Sequence, residues 1–344
     1  MKSENLTPLV EVTRGLIVES IHFGALVVVD SGGQILIKSG DPKTVTFLRS
    51  SAKPFQALPF IEMGGADAFG LSEREVALIC ASHSGTDEHV KVVQGIQQKV
   101  GVTESNLLCG CHPPMDPATV RLLWQRGEEP TPNRHNCSGK HTGMLAHARM
   151  RDLPLEDYIN SQHPIQQTIL KTFAEMCGLK SEEVVVGIDG CSAPNFAVPL
   201  YNTALGYARL FDPGQLSAKR ADACQLITRS MCAHGDMVGG PGRFDTVLMQ
   251  VGNGKIVSKG GAEGYQGIAV APGASAATNK AIGIAFKVSD GDADGGRAGH
   301  AVAVEILRRL GALSPQQLAL LVDFDSHLLY NWRKLTVGEL RTCF

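Results

Sequence analysis

Arg49-Ser50-Ser51-Ala52-Lys53-Pro54 is where the chain changes character. Upstream of it, residues 8–38 read as strands. Ala25-Leu-Val-Val-Val-Asp30 and Gln34-Ile-Leu-Ile-Lys38 flank Ser31-Gly32-Gly33, a hairpin signal. Downstream, residues 51–63 space Phe55, Leu58, Phe60 and Ile61 as a helix does, and the pattern stops at Gly64-Gly65. Pro54 falls in the first turn, where a helix tolerates it. The stretch therefore opens the first helix. It sets the Ser50 hydroxyl and the Lys53 amine three residues apart, on one face. A neutral amine beside a hydroxyl can serve as its general base, the logic of a Ser-x-x-Lys nucleophile. With 21 Ser and 15 Lys in the chain, roughly one such match arises by chance, so the motif has to be weighed with its surroundings.

Working outward, Ser72-Glu73-Arg74-Glu75 is a capping-box pattern that starts a helix running to about Cys80. A polar loop spans 81–87. Helices are predicted near 88–100, 117–126, 140–151, 164–177, 201–211 and 215–233, interrupted by a short strand at 184–188. After residue 240 the pattern returns to strands, at 246–251, 255–259, 267–271 and 282–288. A helix follows at 296–310. Asp290-Gly-Asp-Ala-Asp294 lacks the Glu that closes a calcium loop, so it reads as a turn into that helix with Asp294 as its cap. This order predicts an α/β (α+β) fold. An antiparallel sheet is built from both chain ends, about 8–48 plus 240–344, and a largely helical lobe, about 50–235, is inserted.

Composition narrows the class. Formal net charge is -2 and no long basic run occurs, so nucleic acid is not an implied partner. No apolar stretch reaches the roughly 18 residues of a membrane span, and MKSENLTPLV carries no export signal. Nine cysteines, an odd number, without such a signal, predict reduced thiols in the cytoplasm.

Three elements occur in a telling order: Ser50-x-x-Lys53 at a helix start, Ser82-His83-Ser84 in a loop, and Lys259-Gly260-Gly261 at a strand end. Penicillin-recognising serine enzymes use Ser-x-x-Lys, then Ser-x-Asn, then Lys-Thr-Gly on the same kinds of element. Taken singly, Ser82-His83-Ser84 reads as a turn cluster and Lys259 as a solvated lysine; jointly, the enzymatic reading overtakes both. Asn136-Cys137-Ser138-Gly139-Lys140-His141 has neither a zinc-ligand spacing nor a phosphate-loop spacing. Asp189-Gly190-Cys191 follows a strand, and Cys109-Gly110-Cys111-His112 is thiol-rich. Read from the residues alone, these cysteines are inert buried thiols and no metal is called for. Arg49 and Arg243 are candidate carboxylate clamps.

These stretches, with Gly240-Pro-Gly-Arg243, resemble the rhizobial-type (class 3) L-asparaginases along nearly the whole chain, in order. That family shares its fold with serine β-lactamases, penicillin-binding proteins and serine-dependent glutaminases. The resemblance implies a single catalytic unit over 1–344. It implies hydrolysis of L-asparagine to L-aspartate and ammonia by a cytoplasmic homodimer. Ser50 with Lys53 matches one serine–lysine tandem and Ser82 with Lys259 the other, either serine being the nucleophile. Cys137, Lys140 and Cys191 match a zinc site. For the substrate, Asp189 is the expected partner of the α-ammonium, and Arg49 and His141 are candidates for the α-carboxylate. The alternatives are a glutaminase or another serine amidohydrolase on this scaffold, and a non-catalytic asparagine-binding protein.

Overall fold

The apolar run at residues 25–29 is fully buried, in the second half of a 14-residue strand. The computed structural model describes residues 2–292 and 296–344. In chain order, β1 (Thr7–Arg14), β2 (Ile17–Asp30), β3 (Ile35–Ser39) and β4 (Val45–Phe47) precede a 3-10 turn, Arg49–Ala52. Helices α1 (Lys53–Glu62), α2 (Gly65–Ala68), α3 (Glu73–Ile79), α4 (Asp87–Val100), α5 (Pro117–Arg126), α6 (Ser138–Met150) and α7 (Pro164–Cys177) follow. Then come β5 (Val185–Ile188), β6 (Pro194–Pro199), α8 (Leu200–Phe211), α9 (Ala218–Ala233), α10 (Gly235–Val238) and α11 (Phe244–Val251). The chain closes with β7 (Ile256–Gly261), β8 (Tyr265–Val270), β9 (Ile282–Val288), α12 (Gly299–Arg309), α13 (Pro315–Ala319), β10 (His327–Tyr330) and β11 (Thr336–Thr342).

Two compact units result. The first is Met1–Ser51, Val198–Asp212 and Val251–Phe344. Its antiparallel sheet runs β10-β11-β1-β2-β9-β8-β7, with β3 also paired to β2. Both chain ends therefore build one sheet, as the element order implied. Val29 faces Ile35 across the 31–33 turn, and Val10 faces Thr342. Helix α8 lies on the sheet because glycine admits it: a Cβ on Gly283 would sit 1.7 Å from the Ala204 carbonyl oxygen, and one on Gly267 2.3 Å from the Tyr207 ring. Asp292 holds the start of α12, accepting from the N–H groups of Ala298 and Gly299 at 2.7–3.1 Å. The cap expected at Asp294 lies outside the described residues.

The second unit is Ala52–Ala197 and Pro213–Gln250. Helix α1 packs among α6, α7 and α9, and α6 packs on α3 and α4. Ser72 and Glu75 form the expected capping box. Arg220 of α9 pairs with Glu62 of α1 at 2.6 Å and Glu175 of α7 at 3.4 Å. Strands β5 and β6 pair as an antiparallel hairpin. Among the described residues, no helix is long and apolar enough to cross a membrane.

Three expectations need correction. Residues 246–251, predicted as a strand, belong to α11. Phe244, Leu248 and Met249 bury one helical face, and a six-residue apolar run cannot by itself tell the two periods apart. The helix predicted for 201–211 belongs to the sheet unit, not the helical lobe, because its buried face covers β2, β8 and β9. Residues 213–250 extend the helical unit past the expected limit at 235.

Candidate active site

Helix α1 begins at Lys53, and the Lys53 side chain is 1% exposed. Its Nζ donates to the Ala81 carbonyl at 2.6 Å, to Ser82 Oγ at 2.8 Å and, at 3.4 Å, to the Asn136 carbonyl. Lys53, expected to pair with Ser50, thus has Ser82 as a hydroxyl partner. Ser82 follows the C-terminus of α3 in a segment without regular structure, predicted as a polar loop but buried. Its N–H donates to the Val238 carbonyl at 3.0 Å, and Ser84 Oγ donates to the Gly239 carbonyl at 2.9 Å. Gly85 closes the loop at φ +71, with the Arg134 carbonyl 2.6 Å from where a Cβ would stand. Arg134 clamps it from the side, donating to the Gly85 carbonyl and to Asp87.

The second cluster is built on α6. Lys140 Nζ lies 2.9 Å from Cys191 Sγ, and all of Cys137, Lys140 and Cys191 are under 5% exposed. The Cys137 thiol is pulled well below the usual thiol range, first by its hydrogen bond with Cys191 and then, against burial, by Lys53 and Lys140. Burial opposes the charge on Lys140, but Cys191 and Cys137 outweigh it and hold its pKa above the ordinary value. The residues expected to hold zinc are therefore brought together, two soft sulfurs and one nitrogen, in a buried place. Zinc favours cysteine sulfur, and a sulfur already favoured as thiolate needs no proton displaced; Lys140, held protonated by the same thiols, would have to release a proton to become the third donor. Among the described residues no trio of His, Cys, Asp and Glu is placed to hold a metal, so a metal here requires Lys140 as a donor. Burial pushes the Cys109 thiol up to about 12, with Cys137 and Cys191 adding to the shift.

The His141 ring is fully buried, and burial lowers its pKa to about 4. The Leu108 N–H donates to Tyr158 Oη at 3.0 Å, so the Tyr158 hydroxyl gives its own proton to His141 Nδ1 at 2.6 Å. Tyr158, fully buried, was not singled out in the sequence, where nothing distinguishes it from a core aromatic. Asp189 stands half-buried at the end of β5, and its charge helps to keep Lys140 protonated. Arg243 is half-buried, its Nη1 3.5 Å from Met115 Sδ.

In the sheet unit, Lys259 lies in β7, 1% exposed, with Nζ on the Gly260 carbonyl at 2.7 Å. Ser51 Oγ donates to the Lys259 carbonyl at 2.6 Å, and Tyr207 Oη donates to the Ser51 carbonyl at 2.7 Å. A Cβ on Gly261 would meet the Leu48 carbonyl at 2.3 Å, so only glycine lets the chain before Ser50 lie along the end of β7. Arg49 has φ +53, a left-handed conformation that costs a non-glycine residue about 1–2 kcal/mol. Strain of that kind gathers at functional sites. Ser50 itself is half-buried, on the 3-10 turn that leads into α1.

The chain is similar to several solved structures at low identity, among them two glutaminases. One is a probable glutaminase from Bacillus subtilis complexed with 6-diazo-5-oxo-L-norleucine, with 12% identity, 84% of each chain covered and a TM-score of 0.40. The other is a Bacillus glutaminase in 4.3 M NaCl, with 13% identity, 83% of this chain and 90% of that one covered and a TM-score of 0.38. Among curated proteins none matches. Residues 10–342 match the model of the L-asparaginase II family: the chain belongs to that family.

Proposed function

We propose that the chain hydrolyses the side-chain amide of L-asparagine to L-aspartate and ammonia through an acyl-serine. Family membership supports an amidohydrolase. The observation that carries the reading is the buried bond of 2.8 Å from Lys53 Nζ to Ser82 Oγ. An amine held against a hydroxyl, away from water, is the part a serine amidohydrolase needs to move a proton.

In this reading Ser50, the more accessible of the two serines, attacks the amide carbon. Its proton passes to Lys53, with Ser82 as the relay, and is delivered to the departing nitrogen, which leaves as ammonia. Water then attacks the ester, gives its proton to the same pair and releases aspartate. Lys53 must be neutral when it accepts, so the lone pair it then presents replaces one of its three donated hydrogen bonds. Asp189 is proposed to meet the substrate α-ammonium and Arg49 its α-carboxylate, and Lys259 is proposed as the second catalytic lysine. Cys137, Lys140 and Cys191 are proposed to hold zinc, which when bound supplies a fixed positive charge beside the Asn136 segment.

Ammonia release from L-asparagine, L-glutamine and a chromogenic β-lactam tests the reading. Asparagine is expected to turn over fastest. Ser50→Ala, Ser82→Ala and Lys53→Met should each lose on the order of 100-fold or more in kcat. A diazoketone analogue of asparagine should leave its mass on the peptide carrying Ser50; labelling at Ser82 would reassign the nucleophile. Faster release from glutamine would change the substrate, and binding without turnover would sink the enzymatic reading.

A further inference from the structure

His83 lies between two residues that are tied in one direction while it is tied in another. Ser82 and Ser84 are fastened to residues 238 and 239. The His83 ring, fully buried, instead reaches the first turn of α6, where Nε2 meets Ser138 Oγ at 2.8 Å. Its tautomer follows from its neighbours. The Gly85 N–H can only donate, and it points at His83 Nδ1 at 3.1 Å, so Nδ1 carries a lone pair and Nε2 the proton. Ser138 Oγ accepts that proton's hydrogen bond and passes its own to the Asn133 carbonyl at 2.8 Å. The result is a directional chain with every donor matched, from Gly85 through His83 and Ser138 to Asn133. His89 stacks on the same ring, 5.0 Å away with an 18° interplanar angle. Burial, His89 and Lys53 all hold His83 well below the usual imidazole range, which agrees with the unprotonated Nδ1.

We propose that His83 is a positioning residue, a strut that fixes the Ser82 hydroxyl against Lys53 by tying the Ser82 loop to the helix that carries Lys140. The inference rests on the reading of Ser82 and Lys53 as the proton-transfer pair. It adds that their alignment depends on α6 through one imidazole. Ser138 adjoins Cys137, so the same bond joins the serine loop to the thiol cluster.

Asparagine and glutamine are too short and too long respectively to reproduce both bonds. In His83→Asn the amide can still accept from Gly85 but cannot reach Ser138. In His83→Gln the terminal NH2 stands close to the place of Nε2 and keeps the link to Ser138. Ser138→Ala cuts the link from the other end and leaves the ring in place. With L-asparagine, His83→Asn and Ser138→Ala are expected to lose about 100-fold in kcat with KM within about threefold, the size of effect that misplacement by an ångström produces. His83→Gln should recover most of that loss. Crystal structures should show Lys53 Nζ and Ser82 Oγ beyond hydrogen-bond reach in His83→Asn and Ser138→Ala, and within reach in His83→Gln. Imidazole 15N shifts of the wild-type protein should report a protonated Nε2 and a bare Nδ1. If kcat falls equally in the Asn and Gln variants and tracks their loss of thermal stability, His83 is structural only and the proposal is overturned. It is overturned too if Ser138→Ala leaves both kcat and the Lys53–Ser82 bond intact. If the wild type hydrolyses neither amino-acid amide, the functional reading fails, while the structures and the 15N shifts still decide the strut.

Discussion

The run at 25–29 in β2 and the run at 138–148 in α6 are both buried throughout, yet they are opposite kinds of interior. The strand buries Ala, Leu and three Val. Removing such surface from water is favourable without any partner, by about 25 cal/mol per Å². The helix buries Ser138, Lys140, His141, Thr142 and His147, each of which loses water and regains it only if another group replaces it. Ser138 has His83 and Asn133, Lys140 has Cys191, and His141 has Tyr158. Neither ring nitrogen of His147 has a hydrogen-bond partner among the described residues. The strand stabilises the fold; the helix spends part of that stability on holding charge and thiols in place.

The contrast breaks most sharply at Lys140. Lys140→Met keeps the length and apolar stem but removes the cation beside Cys191 and Cys137. Breaking a buried charge pair from one side costs about 3–5 kcal/mol, and we expect that loss in urea unfolding of metal-free protein. The same variant should bind no zinc in a stoichiometry measurement. A loss under about 1 kcal/mol would mean that no thiolate depends on the amine, and α6 would then be closer to β2 than its composition suggests.

A smaller effect is expected from pH. Burial lowers the pKa of His147 from its ordinary 6.5 to about 4. The unfolded chain therefore takes up a proton first as the pH falls. Stability from this residue is complete above about 6.5 and drains away between there and about 4. Between pH 7.5 and 5 the loss is roughly 2 kcal/mol, at 1.4 kcal/mol for each unit below 6.5. His83 and His89 are lowered by burial too and act in the same direction. The test is accordingly a difference: His147→Leu should show a shallower fall than the wild type over that window. Parallel curves would show that the His147 ring titrates as though exposed.

The same contrast explains what could be read from the sequence. The central strands were legible because apolar runs beside glycine turns leave few other readings, as at 25–38 and 282–288. The order of elements gave a sheet closed by both ends, although β10, mostly exposed, and β11, mostly half-buried, carried no long apolar run to announce them. Helix α6 was read from 140 on, but the burial of residues 138–148 was invisible, because Ser-Gly-Lys-His-Thr-Gly looks like a solvated turn of chain. The partners that make it tolerable come from elsewhere: Cys191 is 51 residues from Lys140, and His83 is 55 from Ser138. No local pattern encodes such pairs. Ser50, Lys53, Ser82 and Lys259 could be named from motif order and resemblance, while the bond from Lys53 to Ser82 needed the fold.

The two glycines of α6 are the other feature that composition hides, and they give the smallest expected change. Gly139 and Gly143 stand one turn apart, facing the end of α3. A Cβ on Gly139 would lie 2.3 Å from the Leu78 carbonyl oxygen, and one on Gly143 2.5 Å from Ile79 Cγ2. Within a helix, Ala is ordinarily better than Gly by about 1 kcal/mol, so on propensity alone Gly139→Ala should stabilise. The clash is with backbone, which cannot rotate away, and separating packed elements costs about 1–3 kcal/mol. We expect the second effect to win, leaving Gly139→Ala less stable by up to about 2 kcal/mol in urea unfolding. Gly143→Ala meets only a side chain and should be nearer neutral. Because α3 leads directly into the Ser82 loop, Gly139→Ala should also lower kcat more than Gly143→Ala does. A more stable Gly139→Ala protein would show that α3 and α6 are not held in contact by the absence of that methyl group.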